Sequence, residues 1–361
     1  MTDVAVLILH PTPAGRSGEI ESWVAAARSA IAERHRAGFL DAGAADVHVV
    51  SGQADGRSFA ARLREFVAGR RPAGLVVLGS GAIPLATRAD RRAFVEAAAA
   101  TGRVALANNR YSADVIAVAE ASRLLDVPDL ATDNALPRWL GNVAGYEVGD
   151  LRRRWRLGFD IDGPLDLALL GGRGWLPAAP DGILDRAVER LAAIRAVASD
   201  PRKELIVMGR MSAAGLGWLE QYVPARVRAF VEERGMRTAG AGQRAPRSVV
   251  GALLDRARVA DGNGILNGSD ELGAILADLG DAALVDSRVL MAHEFGPNEA
   301  LGPSAGDRFA SDLLLDDRIG DGWLKGLTGS ARDARIPILL GGHSLVGPGL
   351  RLALGGERRW T

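Results

Sequence analysis

The sequence predicts an α/β protein of two successive units, the first a mostly parallel sheet flanked by helices and the second a further α/β domain. Three observations carry this expectation. Short continuous apolar runs, VAVLIL at 4–9, GLVVL at 74–78 and ELIVM at 204–208, have the length and β-branched content of strands covered on both faces. Segments with apolar residues at helical spacing alternate with them, as in the β-α-β units of a parallel sheet with right-handed crossovers. A Gly- and Pro-rich stretch, GGRGWLPAAPDG at 171–182, separates two such series. With 361 residues the chain also exceeds the ~250–300 at which one core usually stops growing, so domains at 1–172 and 183–361 are the natural division.

In order, the first unit reads as a strand at 4–9 and a helix at about 19–37, where Ile20, Val24, Ala27 and Ile31 recur on one face. A strand at 46–51, a helix at 58–68 carrying Phe59, Leu63, Phe66 and Val67, and the strand at 74–78 follow. A helix at 90–100, a strand at 104–107 and a last strand at 158–161 bring the sheet to about five strands. The second unit reads as helix 183–198, strand 204–208, a helix containing Val227 to Glu233, helices at 248–258 and 271–279, a strand from 282 to 285 or as far as Leu290, and a strand at 336–340.

Composition bounds the function. Lys plus Arg balances Asp plus Glu at 44 each, which argues against nonspecific nucleic-acid binding. The run Arg152, Arg153, Arg154 and Arg156 reads as a solvated edge rather than a phosphate site. With no cysteine there are no disulfides, thiolate metal sites or cysteine nucleophiles, leaving only His and carboxylate side chains as metal ligands. The apolar start is too short for a membrane span and lacks a basic leader, and no later stretch reaches 18 uninterrupted apolar residues. The expectation is a cytoplasmic protein with no membrane partner.

Three segments of the first unit fall at the C-terminal ends of strands, where open α/β sheets keep their sites: LVVLGSGAIPL at 75–85, VALANNRYSADVIAV at 104–118 and LGFDIDGPLDLALL at 157–170. Together they resemble the nucleotidyltransferases that include the molybdenum-cofactor and 2-phospho-lactate guanylyltransferases, over residues 1–170. In that family one strand ends in a G-D-x-P-L turn and a later one in D-I-D-T-P-x-D-L. The second motif keeps Asp160, Ile161, Asp162, Pro164, Asp166 and Leu167 here. The resemblance implies a nucleotide-diphospho-sugar transferase-like fold, a Mg²⁺ ion, and a nucleotide or small phosphorylated molecule as ligand. It makes Asp162 the first choice as metal ligand and Asp160 the second. Read without it, residues 160–164 are equally a strand end turning into a Pro-started helix capped by Asp162 or Gly163.

The departures are specific. The family's glycine-rich loop with its downstream Lys is replaced by HPTPAGRSGEIE, whose two prolines remove amide donors. Arg16 is the one substitute for the lost cation, unless it is an ordinary exposed loop arginine. In the turn motif Ser80 or Gly81 stands where the family places its aspartate, although Gly79, Ser80 and Gly81 still allow a ligand to approach the backbone closely. Asn108, Asn109 and Tyr111, beside Ser112 and Asp114, form either a ligand-facing cluster or an Asx turn with Ser112 capping a helix near Asp114.

In the second unit His293 and Arg308 stand in SRVLMAHEFGPNEALGPSAGDRFASDL at 287–313, read as a Gly/Pro-rich loop after a strand, and His343 follows a later strand. With Asp286 the two histidines could form a metal site. The alternative is hydrogen-bonded or anion-contacting histidines facing a cleft with Asp307 and Arg308. Asn263 and Asn267 in DGNGILNGSDELG read as turn residues or ligand contacts. Three functions compete: a divergent nucleotidyltransferase joining a nucleoside triphosphate to a small phosphorylated acceptor, a non-catalytic nucleotide- or ligand-binding protein of the same fold, and a metal-dependent hydrolase centred on His293 and His343. A homo-oligomer, with the second domain as dimer surface, is compatible with all three.

Overall fold

Strand β1 (Val4–Pro11) lies inside a sheet with both faces covered, as its unbroken apolar run requires. The computed structural model describes residues 3–13, 17–53, 55–130, 133–232, 246–257, 260–261, 264–265, 268–296 and 301–355. Arg16, Asn263 and Asn267 lie outside them. Around β1 run β2 (Asp46–Gly52), β3 (Gly74–Gly79), β4 (Val104–Ala107), β5 (Val115–Val118) and β6 (Glu147–Asp150), in the order β2-β1-β3-β5-β4-β6. All neighbours are parallel except β5, which runs antiparallel between β3 and β4. Alternation along β1 divides the core. Val4, Val6 and Ile8 pack under α1 (Glu19–Asp41) and α3 (Arg88–Ala98), while Ala5 and Leu7 face α2 (Phe59–Arg70) and α4 (Leu136–Asn142).

Two expectations for this unit are corrected. Residues after Asp114 form β5 rather than a Ser112-capped helix, because VIAV is short, β-branched at three of its four residues and fully buried between two strands. The expected strand at 158–161 is a 3₁₀ turn, Trp155–Gly158, followed by a single antiparallel bridge from Asp160 to Ala82. Helix α5 (Pro164–Leu170) then starts on its proline.

Beyond the Gly/Pro stretch come α6 (Asp185–Ala198), β7 (Glu204–Gly209), α7 (Ala213–Tyr222), β8 (Arg226–Val231), α8 (Val249–Ala257), and the two-residue strands β9 (Ala260–Asp261) and β10 (Gly264–Ile265). After α9 (Leu272–Ala277) follow β11 (Ala282–Asp286), α10 (Ser287–Phe295), α11 (Ala305–Asp312), α12 (Gly322–Asp333), β12 (Ile338–Gly341), α13 (His343–Val346) and α14 (Leu350–Gly355). Strands β12-β11-β7-β8 form a wholly parallel sheet. The helix expected from Val227 is thus the edge strand β8, where RVRAFV places polar residues on the open side. Packing continues across the linker. Ile20, Trp23, Val24, Ala27 and Ile31 of α1 share one core with α5 and the second sheet. Among the described residues no helix is long and apolar enough to cross a membrane.

Candidate metal centre

The sequence Asp160-Ile161-Asp162 is extended, so its residues alternate in direction: Ile161 is buried and the two carboxylates share the other side. Its backbone is held from two directions. Ile161 N–H donates to Gly81 O at 3.0 Å, and the Arg28 guanidinium of α1 donates to Ile161 O at 2.9 and 2.8 Å and to Asp162 O at 3.2 Å. Gly81 is required here because a Cβ would stand 2.9 Å from Ile161 O. Downstream, the amides of Asp162 and Gly163 both donate to Asp166 Oδ2 at 2.9 Å, which caps α5.

The third member arrives from the other sheet. Strand β12 ends at Gly341, Gly342 follows, and His343 opens α13 between the two aspartates. Its Nδ1 lies 3.4 Å from Asp162 Oδ2 and its Nε2 3.6 Å from Asp160 Oδ1. Ser344 Oγ donates to Asp160 Oδ1 at 2.7 Å and fixes that carboxylate. One donor atom from each of Asp160, Asp162 and His343 lies within 4.8 Å of the others, the one such group among the described residues. The Asp162 side chain is 54% exposed, against 14% for Asp160, so the group opens outward through Asp162.

Electrostatics separates the two acids. Burial, reinforced by the neighbouring Asp162 charge, raises the Asp160 carboxyl well above the usual range. Asp162 goes the other way: burial opposes its ionisation, but the His343 ring and the Arg28 and Arg210 charges hold it below the usual range. For His343 burial favours the neutral ring, yet the two carboxylates outweigh it and raise its pKa to about 10. A cation entering the site therefore replaces a proton as the positive partner of the aspartates.

Behind this group Arg210 makes a bidentate pair with the fully buried Asp286, at 2.6 and 2.9 Å. Asp286 is thus committed to Arg210, and the site combining it with His293 and His343 does not form. His293 sits on helix α10 and not in a loop. Its Nδ1 accepts the Ser248 amide at 3.0 Å, and its Nε2 is 2.9 Å from Asp255 Oδ2, while Gly251 packs against the ring. Arg308 donates to Pro303 O at 3.1 Å and acts through its charge on Asp312, whose carboxyl burial raises to about 6 although Arg288 and Arg308 oppose this.

The first unit's other candidates are placed as follows. Asn108 is buried and fully engaged, donating to Leu157 O and Asp114 Oδ2 and accepting the amides of Asp114 and Val115. It pins the β4–β5 turn to the segment leading into Asp160. Asn109 accepts the Tyr111 amide in an Asx turn, and the exposed Tyr111 ring lies under the guanidinium groups of Arg110 and Arg152 at 5.5 and 5.3 Å. Ser80 is buried with its Oγ 2.9 Å from His10 Nδ1, while His10 Nε2 is 2.9 Å from Ser29 Oγ. No Cβ clash constrains Gly79. Sequence reasoning missed Arg28, His10 and Arg210, and picked out Asp166 only as a member of the motif. Arg28 left one trace, a charge inside the apolar stripe Val24–Ala27–Ile31 of α1.

Fold and site together define an α/β protein with a candidate carboxylate–histidine cation site. No protein-family model matches the chain, and no curated protein is recognisably similar to it.

Proposed function

We propose that this chain is a divergent, divalent-cation-dependent nucleotidyltransferase-like protein that joins a nucleoside triphosphate to a small phosphorylated acceptor. The observation that carries the reading is the convergence of Asp160, Asp162 and His343 beside the C-terminal edge of the first sheet. The resemblance of residues 157–170 to the family's D-I-D motif supports it. The donor set fits a cation: two carboxylate oxygens and one imidazole nitrogen, with Asp160 oriented by Ser344 and the backbone of both aspartates held by Arg28. A cation bound there would neutralise triphosphate charge and polarise a phosphoryl oxygen.

The chain's own residues have separable tasks. Asp162, the more open carboxylate, faces incoming ligand; Asp160 is oriented by Ser344; Arg28 sets the backbone from which both project. In the transfer an acceptor oxygen bonds to the α-phosphorus while its bond to the bridging oxygen breaks and pyrophosphate leaves. The test is thermal shift with GTP, CTP, ATP and UTP, with and without cation, followed by ³¹P NMR for pyrophosphate. A native-state ligand at ~100 times its Kd stabilises by about 2.7 kcal/mol, which is readily seen. Cation-dependent stabilisation by one nucleotide together with pyrophosphate release is the expected result, and no response to any of the four would end the reading.

A second reading, a ligand-binding protein without catalysis, is favoured by Ser80. Ser80 or Gly81 stands where the family places an acidic residue, and the Ser80 side chain is buried against His10 and turned to hydrogen bonding within the protein. Nucleotide binding without pyrophosphate release selects this reading.

A further inference from the structure

The donor set of the centre is a poor match to Mg²⁺. That ion demands near-ideal octahedral oxygen coordination and gives up water reluctantly, whereas imidazole is a ligand of the borderline transition metals. The imidazole here is no bystander. It is delivered from the second sheet between the two carboxylates, Nδ1 3.4 Å from Asp162 Oδ2 and Nε2 3.6 Å from Asp160 Oδ1, and one donor atom from each of the three lies within 4.8 Å of the others. Metal–ligand bonds of about 2.1 Å place neighbouring donors of a tetrahedral site about 3.4 Å apart, the spacing of Nδ1 and Asp162 Oδ2.

The supports are directional as well. Ser344 Oγ holds Asp160 Oδ1, and Arg28 holds the carbonyls of Ile161 and Asp162, which fixes the backbone from which both carboxylates project. We infer, resting on the cation reading above, that the centre binds a divalent transition metal through Asp160, Asp162 and the His343 ring, and selects it over Mg²⁺. Three protein donors leave at least one coordination position for water or a phosphate oxygen. Because the aspartates precede the Gly/Pro stretch and the histidine follows β12, one ion would bridge the two sheets.

Mn²⁺ is the probe, added to the full chain. Room-temperature EPR counts free Mn²⁺ in competition with Mg²⁺, and electron spin-echo modulation reports whether a ¹⁴N nucleus is bound to the metal. The expected result is one Mn²⁺ per chain, retained in about tenfold excess of Mg²⁺, with nitrogen modulation. In His343→Asn the modulation disappears and Mn²⁺ binds more than about tenfold more weakly. The wild-type spectrum decides the matter even if that variant folds poorly. Mn²⁺ bound without nitrogen modulation, or displaced by equimolar Mg²⁺, overturns the inference and leaves a carboxylate cation site standing. Failure of Mn²⁺, Zn²⁺ and Mg²⁺ alike to bind removes both.

Discussion

Replacing His35 with Gln should make the protein markedly less sensitive to mild acid. His35 lies on α1, wholly buried, with Nε2 2.7 Å from Ala82 O and Nδ1 without a partner. Burial, helped by the Arg91 and Arg34 charges, lowers its pKa to about 3, from 6.5 when unfolded, although its bond to Ala82 O works in the other direction. A histidine held neutral contributes fully above pH 6.5. That contribution is lost as pH falls from 6.5 through the folded value, because the unfolded chain takes up a proton that the folded chain refuses. At pH 5 the unfolded value is 1.5 units away, so the loss is about 2 kcal/mol at ~1.36 kcal/mol per unit. This figure depends almost wholly on the unfolded pKa, since the folded group stays neutral at pH 5. Gln keeps an N–H for Ala82 O and does not titrate. Urea unfolding of both proteins at pH 7 and pH 5 should therefore show wild type losing about 2 kcal/mol more than His35→Gln. Equal losses would refute the reasoning and mean that the ring is reached by water.

Asp286→Asn should destabilise by about 3–5 kcal/mol in chemical denaturation, since it leaves Arg210 without its buried bidentate partner. Gly74→Ala should cost about 2–3 kcal/mol by the same assay, because the added Cβ would stand 2.0 Å from the backbone oxygen of Ala98, forcing β3 and α3 apart. Asp162→Asn should abolish cation-dependent stabilisation in thermal-shift measurements, because it removes the more open of the two carboxylate donors. By contrast Asp166→Ala should cost about 1 kcal/mol with or without cation, since it removes the oxygen serving two amides at the start of α5.

The central strands were legible because burial on both faces writes itself as an unbroken apolar run, as in β1, β3, β7 and β11. Position in the sheet is not the whole of it, since the edge strands β2 and β12 are legible while the short internal strand β5 reads as the start of a helix. RVRAFV of β8 mixes arginines with apolar residues and was read as helix, and EVGD of β6 was not read at all. At the site, Asp160 and Asp162 could be picked out because D-I-D before a proline combines strand alternation with a helix start. His343 could be suspected from its glycine pair. Their meeting could not, since it depends on how the two sheets pack. His293 misled for a local reason: the Gly/Pro-rich continuation hid a nine-residue helix, SRVLMAHEF, that begins directly at the end of β11.

Asp160 and the Ser344 that orients it are 184 residues apart. During synthesis, when folding proceeds from the N-terminal side, the six strands of the first sheet are all made before Asp160 emerges, and that sheet can form early. The carboxylates then wait, without His343, until the second sheet has also been translated and closed. A nascent chain therefore carries a pair of neighbouring acids with no positive ring between them, and the candidate cation site is assembled only after the second sheet has closed.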